Sequence, residues 1–142
     1  MEIRFNHMEI TFPIGALTPE FRRDVEAFYG DVYGFEFTTG EMFGQNSQLM
    51  TLKSGDFLLL IEGDEPMSAR GFDHLGFDLA SRADVDDTLA KARQWQQKDD
   101  RVQLKGYPDG ALHGRLYHAY YVKFLLPIWF DVQYSEVIAP QE

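Results

Sequence analysis

Four side chains in this sequence have the types and spacing to do metal chemistry. His7 lies in Phe5-Asn6-His7-Met8-Glu9-Ile10 and His74 in Phe72-Asp73-His74-Leu75-Gly76-Phe77. Each opens a strand-like stretch, and each is followed by a carboxylate at similar distance: Glu62 comes 55 residues after His7, and Asp131 comes 57 after His74. Two imidazole nitrogens with at least one carboxylate make a donor set suited to a divalent cation. Asp131 sits among Trp129, Phe130 and Val132, and a carboxylate in an apolar strand is costly unless it finds a partner. A bound cation is one such partner; a salt bridge or an exposed edge is the alternative. Glu62 closes its strand, where an acid can simply be solvated. A second polar-aromatic cluster, His113, His118, Tyr120 and Tyr121, precedes Asp131. By the period of two, Tyr120 and Tyr121 point to opposite faces of one strand.

The elements that must position these groups repeat. Residues 4–12 read as a strand. Thr18-Pro19-Glu20 starts a helix with an N-cap, a proline at the first turn and an early acid. Phe21, Val25, Phe28, Tyr29 and Val32 fall on one face of it, and Gly34 ends it. Strands are expected at 35–39, 48–53 and 57–62, the last two joined by Ser54-Gly55-Asp56. After a polar linker at 63–71 the order returns. A strand at 72–80 precedes a helix capped by Ser81 with Asp84. Val85, Leu89 and Ala92 form its apolar stripe. Strands follow at 102–104, 117–124 and 128–134, with a Gly-rich loop at 108–114. The expected fold is α+β: two βαβββ modules, 1–66 and 67–142, whose curved sheets pair around a common cleft.

Composition narrows the partners. The 142 residues are 44% hydrophobic and 25% charged, which is globular. A net charge of −10 argues against a nucleic-acid surface and against binding to anionic membranes. No cysteine is present, so thiolate ligands and disulfides are excluded. That and the absence of a leader-like N-terminus lead us to expect a cytoplasmic protein. The 15% aromatic content fits a filled core or a pocket for a ring-bearing ligand.

The sequence resembles the vicinal oxygen chelate superfamily, which includes glyoxalase I, extradiol dioxygenases and the bleomycin- and fosfomycin-resistance proteins. The similarity is carried by the His7 strand, by Phe28-Tyr29-Gly30-Asp31-Val32-Tyr33-Gly34-Phe35-Glu36, by His74-Leu75-Gly76-Phe77, and by Pro127-Ile128-Trp129-Phe130-Asp131-Val132. It spans residues 4–135. It implies a divalent metal held by His7, His74 and Asp131, with Asp in place of the family's usual Glu. Either Leu60 or Glu62 would hold the corresponding position in the first module. Glu62 there gives the four-ligand set of a glyoxalase-like isomerase, with Zn or Ni. Leu60 there leaves a three-ligand set, which favours Fe(II), with Mn also possible. That set implies extradiol-type ring cleavage of a small catecholic substrate, with His118 or His113 moving protons and Tyr120 or Tyr121 holding the substrate hydroxyl. The resemblance also implies a homodimer. A metal-free small-molecule binding protein of the bleomycin-resistance type is the alternative from another class.

Overall fold

The computed structural model describes residues 1–42 and 44–139. The chain divides into two compact units, Met1–Ser68 and a second beginning at Ala69.

In the first unit, β1 (His7–Phe12) is followed by α1 (Pro19–Tyr33), β2 (Glu36–Met42), β3 (Gln45–Thr51) and β4 (Phe57–Glu62). Thr18 Oγ1 accepts from the Phe21 amide at 3.1 Å, and Pro19 occupies the first turn, where its missing N–H costs nothing. Gly34 adopts φ 72°, the left-handed cap that lets its amide reach the Gly30 carbonyl. Val25, Phe28, Tyr29 and Val32 are buried, as the sequence stripe predicts. The strands form one mixed sheet in the order β1-β4-β3-β2, with β1 parallel to β4.

The second unit contains β5 (His74–Asp78), α2 (Arg82–Lys98), β6 (Gln103–Gly106), β7 (Gly110–Leu112), β8 (Arg115–Lys123) and β9 (Trp129–Val137). Ser81 Oγ caps α2 by accepting from the Asp84 amide at 3.0 Å. The sheet runs β5-β9-β8-β6, again with the first strand parallel to the last, and β7 pairs with β8. The short β7 departs from the expected βαβββ pattern. It lies in the segment read as a loop, and its hairpin turns at His113-Gly114 with φ 50° and 72°. Two left-handed residues are what a two-residue type I′ turn requires. The protein is thus α+β, with two helices and two mixed sheets. Among the described residues no helix is long and apolar enough to cross a membrane.

Helix packing sorts each sheet into two faces. In the first unit Phe12 packs edge-on against Phe21 of α1, and Gln48 donates to the Arg22 carbonyl. Ile10, Phe12, Gln48, Met50, Leu58, Leu60 and Glu62 therefore share the helix face, and His7, Glu9, Leu59 and Ile61 the other. In the second unit α2 packs on β8 and β9. The Tyr120 hydroxyl donates to Thr88 of α2 at 2.8 Å, which fixes even-numbered β8 residues on the helix face. His74, Gly76, Tyr121 and Asp131 occupy the opposite, open face.

Candidate metal centre

Parallel pairing of β5 with β9 sets His74 opposite Trp129 and Gly76 opposite Asp131, while antiparallel pairing sets Asp131 opposite Tyr121. His74 Nδ1 donates to the Phe72 carbonyl at 2.8 Å, since a carbonyl can only accept. In the neutral ring this leaves the lone pair on Nε2, the arrangement in which an oxygen partner orients a metal-binding imidazole. Nε2 lies 3.8 Å from Asp131 Oδ2. That is too long for a hydrogen bond. It is close to the roughly 3–3.5 Å separating two donors that share one cation at ~2.1 Å.

The Asp131 side chain is 13% exposed, and its Oδ1 is buried with no hydrogen-bond partner among the described residues. Burial pushes its carboxyl above the usual range; His74 partly offsets this, and Asp78 adds to it. The Tyr121 ring lies 4.7 Å from that of His74. Burial, then the Asp131 charge and Tyr107, raise its phenol. Gly76 places no side chain beside Asp131, and a Cβ there would meet nothing within 4 Å. An orphaned carboxylate oxygen beside an oriented, exposed imidazole fits a divalent cation. The pair supplies two donors; among the described residues no cluster of three His, Asp or Glu side chains is close enough to hold an ion.

His7 occupies the register position in the first unit that His74 occupies in the second. It is exposed, and its ring is stacked on Phe57 at 4.8 Å. Nδ1 is bonded to Asn6 Oδ1 at 2.7 Å, so here too Nε2 is the free nitrogen.

The first unit has no carboxylate at the position of Asp131. Glu9 pairs with Leu59 in the same register in which Gly76 pairs with Asp131. The expectation that Leu60 or Glu62 holds this position is corrected: both face α1. Glu62 instead accepts from the Leu17 amide at 2.9 Å and from Asn46 Nδ2 at 3.4 Å. Burial acts to raise its carboxyl, but the Leu17 and Gly15 amides, Asn46 and the Arg22 charge outweigh it, leaving it below its ordinary value. It anchors the chain entering α1.

The upstream cluster is also divided. Tyr121 is the one member on the open face. Tyr120 is 1% exposed and bonded to α2. His113 is exposed at the tip of the β7–β8 turn, where histidine tolerates positive φ better than most residues. His118 faces α2, with Nε2 2.7 Å from Asp86 Oδ1 and Nδ1 2.7 Å from Asp109 Oδ1. Arg82 Nη2 donates to the other Asp109 oxygen at 2.7 Å. Arg82 Nη1 also lies 3.0 Å from His118 Nδ1, but that nitrogen cannot donate to Asp109 and accept from Arg82 together. Two flanking carboxylates favour the doubly protonated ring. Asp109 and Asp86 raise the His118 pKa against the opposing effects of burial and Arg82. This network was missed in the sequence because its members lie on three separate elements.

No protein family model and no curated protein sequence matches the chain. Solved structures do. A glyoxalase family protein from Bacillus anthracis superposes with a TM-score of 0.65 at 12% identity, covering 96% of this chain and 98% of that one. A mutant of the fosfomycin resistance protein FosX from Listeria monocytogenes, complexed with Mn(II) and 1S,2S-dihydroxypropylphosphonic acid, gives 0.61 at 15% identity, over 93% and 92%. A virulence protein from Salmonella typhimurium gives 0.60 at 15% identity, over 94% and 98%. At these identities the likeness is one of fold, and the fold is that of the vicinal oxygen chelate superfamily.

Proposed function

We propose that the protein is a divalent-metal-dependent enzyme acting on a small substrate with two adjacent oxygens. His74 and Asp131, both of the second unit, are the proposed donors. The observation that carries this reading is the buried, unpartnered Oδ1 of Asp131 beside the free Nε2 of His74. The metal, when bound, supplies Lewis acidity to the substrate oxygens. The Phe72 carbonyl holds the His74 ring in its metal-binding tautomer. The raised Tyr121 phenol stays protonated at neutral pH and is a hydrogen-bond donor on the same face. The FosX complex, which pairs Mn(II) with a vicinal diol, supports this substrate class and makes Mn(II) a candidate alongside Fe(II).

Glu62 is engaged by the Leu17 amide and Asn46, which weighs against a four-ligand isomerase and keeps Fe(II)-dependent ring cleavage as the narrower reading. Ring cleavage loses the support of His118, which faces α2. A metal-free binding protein is the second reading, favoured by the aromatic lining of Phe72, Tyr107, Tyr121 and Trp129.

Calorimetric titration with Mn(II), Fe(II), Zn(II) and Ni(II) tests the proposal. One ion should bind per chain. His74→Ala and Asp131→Asn should each weaken it beyond the roughly 10–100-fold that loss of an outer-shell partner costs. Glu62→Gln should leave it unchanged. Absence of stoichiometric binding by all four metals would leave the metal-free reading.

A further inference from the structure

The open face of the second unit carries two lysines that the metal site does not use. Lys105 pairs with Tyr121, which pairs with Asp131, so the three lie in one row across β6, β8 and β9. Lys123 is two residues beyond Tyr121 on β8 and therefore on the same face. Lys105 Nζ sits 3.8 Å from the centre of the Phe72 ring and 5.2 Å from that of Tyr107. Lys123 Nζ is 5.9 Å from the Trp129 ring. Phe72 and Trp129 are themselves in contact, with centroids 5.2 Å apart.

These ammonium groups are placed unusually for this chain. Acidic residues outnumber basic ones by 23 to 13, so a lysine has many possible partners. Yet neither Lys105 nor Lys123 forms an ion pair among the described residues. Both are held by aromatic faces. A cation–π contact positions an ammonium without consuming its three N–H donors. Phe72 remains 45% exposed and Gly76 leaves the space beside Asp131 open, so a ligand can reach the face.

We propose that Lys105 and Lys123 form an oxyanion subsite beside His74 and Asp131, and that the substrate carries a carboxylate or similar anionic group as well as its paired oxygens. The inference rests on the proposed metal site for the other end of the substrate. The aromatic rings flank the anion, so a planar ligand suits the face.

The test compares 3,4-dihydroxybenzoate with its neutral isostere 3,4-dihydroxybenzamide by calorimetry, on Mn(II)-loaded and on metal-free protein. The benzoate should bind about tenfold tighter, as one charge-assisted contact gives. In the Lys105→Gln/Lys123→Gln variant this preference should vanish while Mn(II) affinity stays within about twofold, since neither lysine touches the ion. Equal binding of the two ligands to the wild type overturns the subsite, as does a preference that survives the double variant or failure of both ligands to bind in either state. If Mn(II) itself does not bind, the metal reading fails separately. The metal-free titration then decides: a retained, lysine-dependent preference supports the subsite, and parity overturns it.

Discussion

The two units share a topology but not a chemistry. Each begins with a strand whose first residue is a histidine, paired in parallel with the last strand of its own sheet. Each histidine gives Nδ1 to a nearby oxygen and keeps Nε2 free. Beyond that the faces diverge. Phe57, Leu59 and Ile61 in β4 stand where Trp129, Asp131 and Gln133 stand in β9. Leu59 and Ile61 are 8% and 3% exposed, so the first unit buries aliphatic side chains where the second has Asp131 and Gln133. The second unit thereby keeps a carboxylate oxygen that has no hydrogen-bond partner among the described residues.

Transplanting the acid is the most severe challenge to this contrast. Leu59→Asp buries a charge next to Glu9, with only the exposed His7 to offset it, and should cost about 3–5 kcal/mol in urea unfolding. That is a large part of the total for a domain whose stability is of order 5–15 kcal/mol. A loss below about 1 kcal/mol would mean that the first unit tolerates an acid as the second does.

The converse change should stabilise. Asp131→Leu removes an unsatisfied buried group and should gain about 1–2 kcal/mol at pH 7, raising Tm by several degrees while abolishing metal binding. The sign follows from the raised carboxyl of Asp131. Its ionised form is disfavoured on folding, so the cost is complete above the folded pKa and disappears below the unfolded one. The advantage of the leucine should therefore fade as pH falls towards about 4. A pH-independent difference would place its origin in packing instead.

The smallest effect concerns the helix side, where His118 faces Asp86 and Arg82 from α2 and Asp109 from the loop before β7. Its raised pKa means that its contribution is fully present below the unfolded value of about 6.5 and is lost as pH rises through the higher folded value. Wild-type Tm should thus decline from pH 6 to 9 relative to His118→Gln. Parallel curves would show that Arg82 alone holds Asp109.

Much of this was legible in the sequence. Both helices and their caps follow from Thr18-Pro19, Gly34 and Ser81, because capping is local. The leading histidines stand out by their repeated spacing to a carboxylate, and Asp131 by being an acid in an apolar strand. The opposite orientation of Tyr120 and Tyr121 followed from strand periodicity, but which of them faced the helix did not. Counting from the histidine misled in the first unit. Leu59 follows His7 by 52 residues, whereas Asp131 follows His74 by 57. The extra length is in the second unit's loops and its short β7. Register is a long-range property, and an offset of one residue turns the side chain to the other face. Leu60 and Glu62, the two alternatives open in the sequence, therefore both lie on the helix side of the sheet.

The parallel pairing of first and last strands also orders events in time. β5 lies at the edge of its sheet, and among the described residues β9 is its one neighbour there. Hairpins form early because their partners are close in sequence, whereas this pairing must close a loop of more than 50 residues. A chain emerging from the ribosome carries His74 unpaired until Asp131 has been made. The two proposed metal donors meet only when the unit completes itself, so a half-built second unit cannot hold the ion between them.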